Sequence, residues 1–299
     1  MIPRIRLHAD GPEVSRVGQG FGSIIQEENP SAQSLVAYIS ACLDEGITLF
    51  DLAAVYAGGR AEELFGEALS LEPGLRARMC IVTKYGIEGG GKGYHCYNTD
   101  REAIVRSCER SLRRMRTDRV DIFLMHRPDM LMDADEVAEA LITLRRDGKV
   151  LHAGVSNFLP HQFDLLQSRL PFSLVTNEVP YSLFNMDSQE NGMLDQCQRL
   201  RIAPLFYAPL GGGRLFRPEK DAQDIRAHDA LRAVAEARGG VPVEQIAIAW
   251  ALRHPSRGAA VLGCGRADWM RRAAAGAHMT LTRDEWFYLW TASKGYEIP

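Results

Sequence analysis

Apolar runs rich in Val, Ile and Leu recur along the whole chain, and segments with a helical spacing of apolar residues follow them. This alternation is typical of parallel strands joined by crossover helices, and it predicts an α/β protein. The runs with the length of strands are residues 17–22, 47–53, 80–85, 120–126, 151–157, 174–180, 204–210 and 259–264. Eight such strands close a (β/α)₈ barrel, the TIM-barrel fold. An open, doubly wound sheet is the alternative, because strand order is not visible in a sequence.

The helical patterns are clearest over residues 31–45, 99–116, 135–147 and 243–253. The second of these opens on Thr99-Asp100-Arg101-Glu102, which predicts a capping box. Ahead of the first strand, residues 5–8 and 13–16 flank an Asp-Gly pair that favours a tight turn. We expect this N-terminal β-hairpin to plug one end of the barrel. Because no linker rich in Pro, Gly or Ser divides the chain, we expect one domain over residues 1–299.

Composition and charge exclude some classes of function. Of the 299 residues 46% are hydrophobic, which is enough for a closed core. The formal net charge is −3 and no basic stripe stands out, so we expect no nucleic-acid partner. No run reaches the ~18 consecutive apolar residues of a membrane-spanning helix, and the N-terminus lacks the apolar core of a secretory signal. We therefore expect a cytoplasmic monomer or small homo-oligomer that acts on a small molecule.

The six cysteines are scattered along the chain without a paired framework. Reduced thiols in a cytosolic protein are the simplest interpretation of that pattern. No cluster of Cys and His has the spacing of metal ligands, so we expect no metal site.

Two glycine-rich segments interrupt the alternation of strands and helices, namely residues 86–98 and 209–220. Each follows a predicted strand, so in a barrel each would lie over the C-terminal face, where active sites are assembled. The first segment also carries aromatic residues that would be available to a substrate. The glycines of the second allow backbone N–H groups to approach a ligand closely, although turn geometry alone explains them equally well.

Ionisable groups of complementary type follow three neighbouring strands. Asp51 and Tyr56 come at the end of one strand, Lys84 at the end of the next, and His126 at the end of a third. Taken singly, each residue has an ordinary structural explanation, such as a cap, a rim aromatic or a core histidine. Their joint occurrence at successive strand ends is what a proton relay in one pocket requires.

A phenol can donate a proton near neutral pH when a cation lies close to its hydroxyl group, although its ordinary pKa is about 10. We therefore expect Lys84 to assist Tyr56 as a general acid, and Asp51 to keep the buried ammonium charged. His126 would orient a carbonyl oxygen. Further candidates for the pocket wall are His95, Arg127 and Trp290.

These residues lie in motifs that resemble those of the aldo-keto reductase superfamily over nearly the whole chain. The motifs are residues 46–69, Val82-Thr83-Lys84, residues 124–129, residues 154–158 and residues 207–213, in the family's order. The resemblance implies NADPH-dependent reduction of an aldehyde or ketone by hydride transfer, with Tyr56, Asp51, Lys84 and His126 as the catalytic tetrad. A related branch of the superfamily implies an alternative, a regulatory subunit that binds the nicotinamide cofactor without turnover.

The resemblance also implies the residues that bind the cofactor, NADPH or NADP⁺. They are Gly22, Asp51, Ser156, Asn157, Glu178, Tyr207, Leu210, Gly211, Gly213, Gly263, Cys264 and Arg266. Ser156 and Asn157 would recognise the carboxamide, and Tyr207 would stack on the nicotinamide ring. The glycine loop from Leu210 would follow the pyrophosphate, and Arg266 would pair with the 2′-phosphate.

Two departures from the family's pattern affect these expectations. Glu178 stands where family members commonly have Gln, which places a carboxyl group beside the ring and favours the cationic, oxidised cofactor. At the adenosine end, Trp269, Arg272 and Ala273 stand where members often carry Arg or Gln and then Glu-Asn. The added arginines in this segment favour NADPH over NADH.

Overall fold

A closed barrel of parallel strands forms the centre of the computed structural model, which describes residues 1–22, 31–89, 94–217, 221–263 and 265–297. Its strands are β3 (Val17–Gly20), β4 (Leu49–Asp51), β5 (Cys80–Tyr85), β8 (Val120–Met125), β9 (Val150–Ser156), β10 (Asn177–Pro180), β11 (Leu205–Tyr207) and β12 (Ala259–Leu262). Each strand pairs in parallel with the next around the ring, and β12 pairs with β3 to close it. The predicted (β/α)₈ barrel is therefore confirmed, and the open sheet is excluded.

Helices pack around the outside of this ring. Those described are α1 (Ala32–Asp44), α2 (Arg60–Leu71), α3 (Arg101–Met115), α4 (Ala134–Arg146), α5 (Pro160–Gln167), α6 (Asp187–Glu190), α7 (Met193–Leu200), α8 (Ala222–Ala237), α9 (Val243–Leu252), α10 (Ala267–Ala274) and α11 (Arg283–Lys294). Short 3₁₀ helices cover Tyr56–Gly59, Pro73–Arg78, Gly211–Phe216 and Ala275–His278. The four helices predicted from the sequence are present, each within two residues of the expected bounds.

Side chains alternate along each strand between the barrel interior and the layer of helices. Leu49 and Val82 belong to the interior apolar cluster, whereas Phe50 and Ile81 pack in the outer cluster beneath the helices. This is the two-residue periodicity of a β-strand. The same periodicity points Asp51 toward the barrel interior, because Asp51 lies two residues after Leu49 on the same strand.

The N-terminal hairpin closes the bottom of the barrel. Strands β1 (Arg4–Arg6) and β2 (Glu13–Ser15) pair antiparallel, and Gly11 donates a backbone hydrogen bond to the His8 carbonyl in the turn. Ile5, Leu7 and Val14 are buried in the same cluster as the interior barrel residues. The predicted plug is present, and it seals the face opposite the strand C-termini.

One local expectation, the capping box at Thr99, was wrong. Thr99 does not cap α3: its hydroxyl donates to the Asp129 carboxylate at 2.8 Å, and Asp100 takes the N-cap position. The segment 86–98 contains a small antiparallel sheet of β6 (Ile87–Gly89) and β7 (His95–Tyr97), with residues 90–93 outside the described part. The tertiary partner Asp129 outcompeted the local cap, which sequence alone does not reveal.

Candidate active site

A cavity of about 730 Å³ opens at the C-terminal ends of the barrel strands. It is lined by Gly20, Gly22, Asp51, Tyr56, Lys84, His126, Arg127, Ser156, Asn157, Glu178, Tyr207, Ala208, Pro209, Leu210, Gly212, Gly213, Phe216, Val261, Leu262, Gly263, Arg266 and Trp269. The strand pleat explains why polar residues meet here. Asp51 and Lys84 continue the inward parity of Leu49 and Val82, one step beyond the apolar interior.

Lys84 is the centre of the site, and its side chain is 1% exposed. Its ammonium donates to Asp51 Oδ1 at 2.5 Å, to the Leu52 carbonyl at 3.0 Å and to the Tyr56 hydroxyl at 3.4 Å. Burial alone would lower the pKa of Lys84, but the carboxylates of Asp51 and Glu178 outweigh it and raise that pKa above its ordinary value. The lysine is therefore charged at neutral pH.

Glu178 is a second carboxyl group beside the same ammonium. Its Oε2 atom lies 3.2 Å from Lys84 Nζ, yet this oxygen has no hydrogen-bond partner among the described residues. The three N–H groups of Lys84 are already engaged by other acceptors, which explains the unfilled acceptor. Burial, followed by the charge of Asp51, raises the pKa of Glu178 to about 8.

Tyr56 follows β4 and begins a 3₁₀ turn in which Ala57 takes a left-handed conformation at φ 48°. Burial raises the pKa of Tyr56 to about 12, although the Lys84 charge acts in the opposite direction. Removal of the hydroxyl from water costs the phenolate more than the charge of Lys84 returns. The phenol is a neutral donor at all physiological pH values.

His126 packs edge to face against Tyr56, with ring centroids 5.8 Å apart. Burial, together with the charges of Lys84 and Arg127, lowers the pKa of His126 to about 3. The imidazole is therefore neutral, and it can donate one hydrogen bond into the cavity without adding a charge.

A hydrogen-bonded chain crosses the opposite wall. The Tyr207 hydroxyl donates to Asn157 Oδ1 at 2.9 Å, Asn157 Nδ2 donates to Ser156 Oγ at 2.8 Å, and Ser156 Oγ donates to the Glu178 carbonyl at 2.9 Å. Asn157 has a left-handed backbone at φ 62°, as does Ala208 at φ 49°. Left-handed non-glycine residues thus come directly after Ser156 and Tyr207, and such strain is typical of functional sites.

The glycine loop is a 3₁₀ helix whose glycines have positive φ angles. Leu210, Gly212 and Gly213 line the cavity, and an added Cβ on Gly212 or Gly213 would meet no atom within 4 Å. Gly211 instead faces Phe184, whose ring lies 2.5 Å from the position of such a Cβ. The loop therefore offers open backbone to a ligand at its second and third glycines rather than at its first.

The far end of the cavity carries arginines and aromatic rings. Arg266 pairs with Asp268 at 2.8 Å, while Arg271 and Arg272, the other predicted cations, pair with Glu45 and Glu244. Both side chains of the first pair are well exposed, so a competing anion could replace the carboxylate at small cost. Gly263 lines the cavity, and Cys264 lies outside the described residues.

Sequence reasoning missed some of the wall residues and misplaced others. Phe216 and Trp269 pack edge to face, with centroids 6.1 Å apart, and together they wall the far end. Arg127 does line the cavity, whereas Trp290 packs against Tyr296 away from it. Phe216 lies after the glycine loop, and its hydrophobicity gave no signal that distinguishes a cavity wall from a core position.

The described aromatic side chains of segment 86–98 lie outside the cavity wall. Tyr94 and Tyr97 are exposed and do not line the cavity. The side chain of His95 is outside the described part of the chain.

Within the described ranges, no helix is long and apolar enough to cross a membrane. Nor do any three His, Cys, Asp or Glu side chains among the described residues form a group that could hold a metal ion.

The comparisons with known proteins agree with this geometry. Residues 16–292 match the aldo/keto reductase family. The chain is 44% identical to oxidoreductase YdhF of Escherichia coli strain K12 over the full length of both chains. It is 41% identical to a 6-dehydroglucose reductase of Agrobacterium fabrum strain C58, with 99% of this chain and 100% of the relative covered.

Solved structures give the same result. The glycerol dehydrogenase AKR11B4 of Gluconobacter oxydans superimposes with a TM-score of 0.82 at 27% identity, over 98% of this chain and 95% of that one. A thermostable aldo-keto reductase in complex with the inhibitor epalrestat also gives 0.82, at 25% identity over 97% of this chain and 100% of its own. The resemblance found in the motifs is thus confirmed, and this chain belongs to the aldo/keto reductase family of oxidoreductase enzymes.

Proposed function

We propose that this enzyme is an NADPH-dependent carbonyl reductase in which Tyr56 protonates the oxygen of an aldehyde or ketone. One observation carries the proposal: the Tyr56 hydroxyl faces the cavity and accepts a hydrogen bond from the ammonium of Lys84 at 3.4 Å. A buried, neutral phenol beside a fixed cation is a general acid whose conjugate base is stabilised as it forms.

The residues of the cavity fit a nicotinamide cofactor. Glu178 Oε2 is a buried acceptor without a hydrogen-bond partner, and Asn157 and Ser156 add an amide and a hydroxyl for a carboxamide. Tyr207 offers an aromatic face, and Gly22 leaves room beside Tyr56, whose ring lies 3.6 Å from the position of an added Cβ. When bound, the reduced cofactor supplies the hydride.

The phosphate groups would lie along the glycine loop and at the far end of the cavity. Leu210 and Gly213 border the loop's open backbone, and Gly263 continues the same wall. Arg266 would exchange Asp268 for a 2′-phosphate, which is the contact that favours NADPH over NADH. Roles for Gly211, which faces Phe184, and for Cys264 remain predictions.

The chain's own residues divide the remaining work. Tyr56 holds the proton at its hydroxyl oxygen, Lys84 stabilises the phenolate, and Asp51 keeps Lys84 charged and oriented. His126, held neutral by burial, donates a hydrogen bond to the substrate oxygen and orients the carbonyl group.

The relatives guide the choice of substrates. One is named for the reduction of 6-dehydroglucose and another for the oxidation of glycerol, so hydroxylated carbonyl compounds are first candidates beside aromatic aldehydes and dicarbonyls. We further propose that residues 1–299 form one domain and that the enzyme works in the cytoplasm, as a monomer or small homo-oligomer without a nucleic-acid partner.

The test is a substrate panel that includes 6-dehydroglucose, glyceraldehyde and a dicarbonyl compound, followed by loss of NADPH absorbance at neutral pH. Turnover of at least one compound is expected, together with tighter binding of NADPH than of NADH. Tight NADPH binding without turnover across the panel would contradict the carbonyl reductase, and would favour the regulatory subunit that binds the cofactor without chemistry.

A further inference from the structure

The Glu178 carboxyl group is buried in the wall of the cavity without a role in the tetrad. Its side chain is 3% exposed, and it lines the cavity from the second position of β10, in register with Ser156 and Leu205. Its Oε2 atom receives no hydrogen bond from any described residue. A buried carboxylate is costly unless its charge is compensated, and the cation that faces this one, Lys84, is shared with Asp51.

Two carboxyl groups face the ammonium of Lys84, and the charge of Arg127 acts on Glu178 more weakly than that of Lys84 does. Lys84 contributes one positive charge, and Asp51 and Glu178 would contribute two negative charges. Asp51 Oδ1 receives the short hydrogen bond from Lys84, whereas Glu178 Oε2 lies farther from the same ammonium, at 3.2 Å. Burial raises the pKa of both carboxyl groups, so the two share one proton at neutral pH, and Glu178, which has the longer contact with Lys84, is the group that holds it.

Every element packed against Glu178 contributes to this balance. Asp51 on β4 raises the pKa of the Glu178 carboxyl group, while Lys84 on β5 and Arg127 after β8 lower it. The Tyr56 and Tyr207 hydroxyls also face it, and both are neutral at pH 7 because their pKa values are raised by burial. The result after all of these is a pKa of about 8 for Glu178.

We propose that Glu178 is a redox-linked proton site, which holds a proton while the nicotinamide is reduced and releases it when the oxidised nicotinamide occupies the cavity. This inference rests on the proposed cofactor. The oxidised ring carries one positive charge that the reduced ring lacks. Release of one proton from Glu178 leaves one negative charge on its carboxylate, so the buried site has the same net charge in both states.

The exchange is complete in atoms and charges. On binding of NADP⁺, the O–H bond of the Glu178 carboxyl group breaks and its proton enters the solvent, with no electron transferred. The same carboxyl group takes a proton from solvent when NADPH replaces NADP⁺. A Gln side chain at position 178 could neither release nor regain a proton. The proton exchange is therefore a property of Glu178, which stands where family members commonly have Gln.

The test measures protons released on binding, by titration calorimetry at pH 7 of the full-length protein, freed of cofactor, in two buffers of different ionisation enthalpy. An opposite charge lowers a carboxyl pKa by about 1–3 units, so NADP⁺ should release roughly 0.4–0.9 proton more than NADPH does. Comparing the two cofactors cancels any proton that comes from the 2′-phosphate. In Glu178→Gln the difference should fall to near zero.

A matched control is Glu62→Gln. Glu62 is also fully buried, but it binds Arg114 and the Thr83 hydroxyl and does not line the cavity. Glu62→Gln should show the same difference in proton release between NADP⁺ and NADPH as the wild type. The affinity of the wild type for NADP⁺ should also fall by up to about tenfold per pH unit below pH 8, with no such slope in Glu178→Gln.

Equal proton release with NADP⁺ and NADPH in the wild type would overturn the inference, as would a difference that persists in Glu178→Gln. Both results leave the carbonyl reductase intact, because they require that the two cofactors bind. Failure of both cofactors to bind would instead overturn the proposed function, and this inference with it.

Discussion

Glu178→Gln should stabilise the cofactor-free protein at neutral and alkaline pH. The folded state holds the carboxyl pKa at about 8, whereas the ordinary value is 4.5. Between these two pH values the folded chain keeps a proton that the unfolded chain loses. Rising pH therefore lowers the free energy of unfolding of the wild type. This loss of stability is absent below pH 4.5 and constant above pH 8. Gln does not titrate, so the variant does not lose this stability.

The magnitude follows from the pKa difference. Each pH unit within the window costs the wild type about 1.4 kcal/mol, so the gain of the variant is about 3 kcal/mol at pH 7 and about 5 kcal/mol above pH 8. For a chain of this size a gain of about 3 kcal/mol raises Tm by roughly 5 °C. These are upper bounds, because the site relaxes and Asp51 shares the proton.

The assay is thermal and urea unfolding of both proteins without cofactor at pH 4.5, 7 and 8.5. Glu190→Gln serves as a control, since Glu190 is half exposed on the surface and pairs with Lys294. The difference in the free energy of unfolding between Glu178→Gln and the wild type should widen with pH. The same difference between Glu190→Gln and the wild type should stay constant. A difference for Glu178→Gln that does not change with pH would refute the assignment of the proton to this carboxyl group.

Other outcomes follow from the same geometry. Arg266→Ala should reduce the preference for NADPH over NADH by on the order of 1–3 kcal/mol, measured by fluorescence titration of both cofactors, and an unchanged preference would place the 2′-phosphate elsewhere. Lys84→Met should lower turnover by at least about 10²-fold because the phenolate loses its cation, and wild-type turnover in a folded variant would contradict that role. Because His126 is neutral over the working pH range, the pH profile of kcat in the wild type should show no step near pH 6.5 that comes from this residue. A step that is present in the wild type and absent in His126→Asn would contradict this.

The barrel could be predicted from the sequence because its strands are short apolar runs between helical segments, and the pleat then fixes which residues share the interior. Leu49 and Asp51, or Val82 and Lys84, differ by two positions, so their common direction is implied by periodicity alone. The approach of Lys84 to Asp51 also depends on the strand order, which the structure supplies by pairing β4 with β5.

The electrostatic balance could not be predicted in the same way. The sequence shows that Glu178 is a carboxyl group, but not that all three N–H groups of Lys84 are engaged by other acceptors. It also gives no measure of burial, which outweighs the charge of Lys84 in setting the pKa of Tyr56. Likewise, the partner Asp268 of Arg266 is two residues away, and only the rotamers place the two in contact.

Tyr56→Phe tests the central claim most directly, because it removes one hydroxyl group and keeps the ring that packs against His126. The measurement is steady-state turnover of the best substrate from the panel, together with NADPH titration, for the wild type and the variant. Turnover should fall by about 10²–10⁴-fold while NADPH affinity stays within a few-fold, as expected when a general acid is lost and binding is not. Near-wild-type turnover in the folded variant would contradict the assignment of Tyr56 as the proton donor.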